Sequence, residues 1–161
     1  MVLQTLQTIE GSVLRLRFVG RFDEDAALMP IEFGKVSRVE IDLTEVKSIN
    51  SCGVRSWIEW TSKFPKSIPI SIFSAPKVFV DQLNRVAGFC PDQTKFESFY
   101  VPYYCELCSS SENTLFVAGN HYIGFQIRGL RTPLTCKKCP DQILIPDFSG
   151  ATYFAFLKRA A

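Results

Sequence analysis

The sequence predicts an α/β protein in which helices pack on a central mixed sheet. Several short segments alternate apolar and charged residues, which indicates half-buried strands. Two other segments repeat apolar residues at spacings of three and four, as amphipathic helices do. Because these strand and helix patterns alternate along the first half of the 161 residues, the elements are expected to form layers around one sheet.

The elements of this sheet can be placed by their apolar periodicity and turn residues. Asn50 or Ser51 is expected to cap the first long helix, and Pro65 to end it. The helix carries a Trp57, Trp60 and Phe64 stripe, which predicts a buried face, with a partner-binding patch as the alternative. In order, the patterns predict a hairpin over residues 3–20, a helix over 23–28, strands over 39–43 and 68–72, and helices over 54–64 and 78–86. A second group of short strands is expected over 96–104, 115–117, 122–127 and 143–145, before a helix over 152–157.

The length, net charge and apolar runs of the chain limit the classes of protein to which it can belong. A chain of this length predicts one domain, or one domain with a small appendage. A net charge of +2 is too balanced to indicate a nucleic-acid or membrane-surface protein by itself. No apolar run approaches the roughly 18–20 residues that cross a bilayer. The start, MVLQTLQTIEG, lacks the basic and apolar parts of a secretory signal, which predicts a cytoplasmic protein.

Four of the six cysteines form two Cys-x-x-Cys pairs, Cys105 with Cys108 and Cys136 with Cys139. Two such pairs supply the four thiolates that a structural zinc ion prefers, so a four-cysteine zinc ribbon is expected. Paired disulfides and redox dithiols are the alternatives. Four thiolates leave no open coordination position, which makes the predicted ion structural. The lone His121 is expected at the surface.

Three segments of the first 90 residues combine the predicted strands, loop and helices: GSVLRLRFVGRF, VEIDLTEVKSINSCGVRSWIEW and PISIFSAPKVFVDQLNRVAGF. In these segments the chain resembles the STAS domain of bacterial anti-sigma factor antagonists. The resemblance implies a STAS-like domain over residues 1–95. It also implies signalling by partner switching, with a kinase-like anti-sigma factor as the protein partner.

The regulatory loop of that family corresponds here to Asn50, Ser51, Cys52 and Gly53, with a cysteine where the family has its phosphorylated serine. Three hypotheses follow. The loop is an unregulated docking surface with Cys52 buried. Alternatively Ser51 or Ser48 takes the phosphate. In the third, Cys52 is a redox switch at a helix N-terminus.

Residues 96–161 resemble the zinc-ribbon extensions of some bacterial STAS proteins. The ribbon is expected to be inserted before the C-terminal helix or appended near it. If it is inserted, the strand over 96–104 adds to the first sheet, and the helix over 152–157 packs back on the first part.

No catalytic motif is found, which predicts a protein that is not an enzyme. One alternative is a nucleic-acid-binding ribbon, for which Arg128, Arg131, Lys137 and Lys138 are the only basic cluster nearby. Another alternative is a STAS domain that senses a nucleotide or other small ligand. Nucleic acid is not expected as the main partner.

Overall fold

A computed structural model describes residues 2–159 of the protein. The strands are β1 (Gln4–Glu10), β2 (Val13–Phe22), β3 (Arg38–Ile49), β4 (Ile70–Phe73), β5 (Thr94–Phe96), β6 (Ser98–Cys105), β7 (Ser110–Val117), β8 (Tyr122–Ile123), β9 (Gln126–Ile127) and β10 (Ile145–Pro146). The helices are α1 (Ser51–Thr61), α2 (Lys77–Arg85), α3 (Gly150–Tyr153) and α4 (Phe156–Arg159). The predicted α/β class with a mixed sheet is confirmed.

The main sheet has five strands in the order β1-β2-β3-β4-β5. β1 and β2 form the predicted antiparallel hairpin, whereas the other neighbouring strands are parallel. Along β2, Leu14, Leu16 and Phe18 are buried. The arginines between them are exposed and meet carboxylates of β3, with the Nε of Arg15 2.9 Å from Glu40. The charged and apolar faces of this sheet therefore follow the alternation in the sequence.

Helix α1 packs its aromatic stripe against the apolar face of the sheet. Trp57, Trp60 and Phe64 are all buried, as predicted. The Trp57 ring meets Phe18 edge-on at 6.1 Å, and its Nε1–H donates to the Phe89 carbonyl at 2.9 Å. The Nε1–H of Trp60 donates to a carbonyl of the β2–β3 connection at 2.8 Å. Both indole rings are therefore buried with their N–H groups hydrogen-bonded.

The prediction of a helix over residues 23–28 is wrong, because this segment belongs to an irregular connection between β2 and β3. The Asp23 carboxylate accepts the Asp25 N–H at 3.3 Å, and its carbonyl accepts the Ala26 N–H at 3.1 Å. These bonds close a single turn and compete with a helix. The connection also packs Leu28 and Phe33 against the core. A short helix stopped by Pro30 has little stability of its own, so this packing decides the conformation of the segment.

A second sheet, in the order β10-β6-β7, follows the first along the chain. The strand predicted over 96–104 is divided between the two sheets. Phe96 lies in β5 of the main sheet, whereas β6 pairs with β7 and β10. Between them, a single bridge joins Ala75 to Phe99, with the Tyr100 N–H donating to the Ala75 carbonyl at 2.8 Å. The expectation that this whole strand extends the main sheet is therefore wrong beyond Phe96.

The C-terminal segment returns to α2. The single helix predicted over 152–157 is instead the two short helices α3 and α4. The side chain of Asn84 donates to the Tyr153 carbonyl at 2.8 Å and accepts the Phe156 N–H at 2.9 Å. The Phe156 ring also meets Phe96 edge-on at 5.1 Å. These contacts hold the end of the described chain against both α2 and the main sheet.

Within residues 2–159, no helix combines the length and apolar character needed to cross a bilayer.

Candidate functional site

Two tight turns bring the four paired cysteines together. Cys105 is the last residue of β6, and Cys108 lies in the turn to β7. The second pair lies in a turn closed by two backbone hydrogen bonds. The Cys136 N–H donates to the Gln142 carbonyl at 2.9 Å, and the Gln142 N–H donates to the Cys139 carbonyl at 2.8 Å. Each turn therefore points two sulfurs toward the other.

The spacing of the four sulfurs fits one tetrahedral ion. All four Sγ atoms lie within 4.8 Å of one another, and those of Cys108 and Cys136 are 3.7 Å apart. A Zn–S bond of about 2.3 Å places the sulfurs of a tetrahedral site about 3.8 Å apart. Cys105 and Cys136 are buried, and the other two are partly buried. The residues present therefore fit a metal held entirely by protein sulfur.

The thiols of this cluster differ in acidity. The Ser110 hydroxyl, 3.0 Å from the Cys108 sulfur, lowers the pKa of Cys108 to about 6. Burial raises the pKa of Cys136 and raises that of Cys139 to about 12. A bound cation favours the thiolate form of every ligand, so metal binding at this site would release protons.

Glu112 connects the two cysteine turns. Its carboxylate accepts the Lys137 N–H at 2.9 Å, and its other oxygen lies 4.0 Å from the Lys137 ammonium. The backbone hydrogen bond from Lys137 lowers the pKa of Glu112. Glu112 thus holds the second turn to β7, and a hydrogen bond with the Cys136 thiol also lowers its pKa. It also partly neutralises one of the four basic residues considered for nucleic-acid binding.

His121 lies apart from the cysteines. Its Nδ1 accepts the Val117 N–H at 3.1 Å, and its ring stacks on Phe116 with centroids 5.1 Å apart. Among the residues that the structure describes, the only metal-binding group of three or more side chains is the cysteine cluster.

The second candidate site is the loop from Asn50 to Gly53, where β3 ends and α1 begins. Asn50 is the N-cap of α1, as predicted, because its Oδ1 accepts the Gly53 N–H at 2.9 Å. Its Nδ2 donates to the Glu24 carboxylate at 2.8 Å, and its backbone N–H donates to the Phe22 carbonyl at 3.0 Å. Three separate hydrogen bonds therefore fix the Asn50 residue.

Gly53 lets α1 approach β2 directly. A Cβ at this position would lie 2.7 Å from the Phe22 Cβ and closer still to the Phe22 carbonyl group. Gly53 is buried, whereas Ser51 and Cys52 are exposed beside it. The hypothesis of a buried Cys52 is therefore wrong. The Ser48 side chain is exposed as well.

No family model matches the chain. No curated protein matches it either. The two sites are therefore interpreted from their own geometry.

Two residues of these sites were not predicted from the sequence. Glu24 hydrogen-bonds to the loop, and hydrogen bonds from its own backbone N–H and from Asn50 lower its pKa. Glu112 joins the cysteine turns in the same way. Both residues bond to partners far along the chain, so no local motif marks them. For Glu112 the only sequence signal was its position four residues after Cys108, and Glu24 had none.

Proposed function

We propose that the protein is a regulatory module of the STAS type, without catalytic activity, that docks to a protein partner through the loop from Asn50 to Gly53. The observation that carries this proposal is a firmly held loop that nevertheless exposes its Ser51 and Cys52 side chains. A rigid backbone with exposed side chains favours docking because little conformational freedom is lost on binding. We place this activity in the cytoplasm.

The STAS interpretation is supported by the path of the chain as well as by the sequence resemblance. An opening hairpin, a parallel strand, α1, another parallel strand and α2 are arranged around one mixed sheet. The loop lies at the carboxyl ends of β2 and β3, whose last residues Phe22 and Ile49 are paired. In open α/β sheets this edge commonly carries binding sites. The partner class that follows from the resemblance is a kinase-like anti-sigma factor.

The loop also has the chemistry of a charge switch at Ser51. Ser51 is the first residue of α1, where unpaired N–H groups favour a phosphate. Arg55 lies four residues further on the same face and is exposed, so it is placed to pair with such a phosphate. The neighbouring Glu24 is already anionic at neutral pH. Phosphorylation would add nearly two negative charges to this surface and release a partner that fits the neutral form.

In this proposal the cysteine cluster is a structural zinc site. The cluster offers only thiolate ligands, with no oxygen or nitrogen ligand among them. Such a set of soft ligands favours zinc over the other common divalent ions. The zinc would hold together a ribbon inserted between β5 and the C-terminal helices. Because four protein ligands would fill all its coordination positions, the ion would stabilise the fold and would not bind a substrate.

The docking proposal is tested by affinity capture from a lysate of the source cells. The wild-type protein is compared with Ser51→Asp, Cys52→Asp and the control Ser67→Asp. Ser67 is exposed beyond the far end of α1, so its substitution adds the same charge away from the loop. We expect wild type and Ser67→Asp to retain one specific protein that the two loop variants release. Retention of the same proteins by all four would contradict docking at the loop.

A further inference from the structure

A cavity of about 320 Å³ lies in the second half of the chain, away from both sites described above. Its lining comes from β7, the turn before β8 and the segment around the 3-10 turn Gly129–Arg131. The lining residues are Thr114, Phe116, Asn120, His121, Arg128, Gly129, Thr132 and Leu134. A site of this size accommodates a small molecule and is too small for a protein or nucleic-acid segment.

The walls of the cavity are held together by close packing. A Cβ on Gly129 would lie 2.7 Å from the Phe116 ring and 3.1 Å from the His121 Cβ, so only glycine fits there without a shift. The His121 carbonyl accepts the N–H groups of Arg128 and Gly129 at 2.7 and 2.9 Å. The segment carrying Arg128 is thus fixed against the aromatic wall made by Phe116 and His121.

Each polar side chain around the cavity is able to donate a hydrogen bond. The Nδ1 of His121 accepts from Val117, which leaves Nε2 as the donor of this ring, and no hydrogen bond to Nε2 is found within residues 2–159. Thr114, Asn120 and Thr132 add hydroxyl and amide groups. Arg128 adds a permanent positive charge, and within residues 2–159 no carboxylate lies at ion-pair distance from it. The lining itself contains no acidic residue.

We propose that this cavity binds a small organic oxyanion, either a phosphate monoester or a carboxylate. The guanidinium of Arg128 pairs with the anionic group, and the Phe116 and Leu134 side chains contact the apolar part of the ligand. The site shares no residue with the docking loop or the cysteine cluster. It therefore gives the protein a ligand-binding activity that is independent of the proposed docking function.

The test uses the whole chain as it is purified. Phenyl phosphate, benzoate and the neutral benzyl alcohol are titrated by calorimetry at constant ionic strength. We expect at least one anion to bind with 1:1 stoichiometry, at least about tenfold more tightly than the alcohol, because a charge-assisted hydrogen bond contributes a factor of this size. Tight binding of only one anion identifies the phosphate or the carboxylate class.

Variants locate the binding in the cavity. Arg128→Gln should weaken binding of the anion by about tenfold or more, whereas Arg131→Gln should change it by less than about twofold. Arg131 is the matched control because it is exposed nearby but does not line the cavity. Thr132→Val, which keeps the side-chain shape, should also weaken binding and is used if the first variant unfolds. The proposal is overturned if neither anion binds, if benzyl alcohol binds equally well, or if Arg131→Gln has the same effect as Arg128→Gln.

Discussion

Replacing Gly53 with alanine tests the close approach of α1 to β2. The new Cβ would lie 2.7 Å from the Phe22 Cβ and closer still to the Phe22 carbonyl group, where ordinary contacts begin near 3.4 Å, so the start of α1 must move by more than 0.7 Å. The shift also strains the Asn50–Phe22 backbone hydrogen bond. Overpacking of this kind costs about 1–3 kcal/mol, and the strained hydrogen bond adds about 1 kcal/mol. The better helix propensity of alanine offsets about 1 kcal/mol.

We therefore expect Gly53→Ala to lower the free energy of unfolding by about 2 kcal/mol. In a chain of this size such a loss lowers Tm by about 4–8 °C, measured by circular dichroism. Gly150→Ala is the matched control, because a Cβ at Gly150 meets no atom within 4 Å. This control should leave Tm unchanged or slightly higher. Equal Tm values for Gly53→Ala and the wild type would refute the argument that the loop is positioned by this contact.

Three further predictions concern the metal, the C-terminal contact and pH. Elemental analysis should find one zinc ion per chain in Cys52→Ser but far less in Cys139→Ser, and a chelator should speed hydrogen exchange of the backbone amides around the cysteine turns of the wild type; unchanged exchange there would exclude a structural metal. Asn84→Ala loses two hydrogen bonds and should reduce the free energy of unfolding in urea by about 1–3 kcal/mol, whereas an unchanged urea midpoint would show that the C-terminal segment is held otherwise. Since the pKa of Glu24 is lowered from 4.5 on folding, its stabilising effect is complete above that value and is lost as pH falls through the lower folded pKa. Acid titration of Glu24→Gln should lack this component, and identical acid profiles would contradict it.

The sequence predicted those features that depend on local pattern. The hairpin, α1 and its aromatic stripe follow from apolar spacing, and the Asn50 cap from its place before that spacing begins. The two cysteine pairs were recognisable because a metal-binding turn needs only four consecutive residues. In each case, neighbouring residues carry the information.

The features that could not be predicted depend on contacts between distant residues. The segment over 23–28 forms no helix, because packing of the β2–β3 connection on α1 outweighs a weak local propensity. The exposure of Cys52 was missed for a similar reason. Successive helical residues differ in direction by about 100°, so the burial of Gly53 against Phe22 turns Cys52 toward solvent.

The exposure of Cys52 determines which measurement can test the redox hypothesis. Burial raises the pKa of the Cys90 thiol to about 12, so Cys52 should react faster with a thiol reagent whether or not it has a redox role. The informative measurement is whether oxidation of Cys52 releases the captured partner as Ser51→Asp does.

The two hydrogen bonds of Asn84 have a consequence for how the chain responds to loss of metal. They join residues 69 and 72 positions apart, and the Ala75–Phe99 bridge fixes the chain on the other side of the cysteine turns. The cysteine-containing segment is therefore a closed loop with both ends attached to the α2 region. The entropy cost of closing a flexible loop grows only with the logarithm of its length. If the cysteine turns unfold, the resulting flexible loop therefore lowers the stability of the rest of the protein only slightly. Loss of the ion should thus melt the cysteine turns as a local unit, while the five-stranded sheet and its docking loop keep their structure.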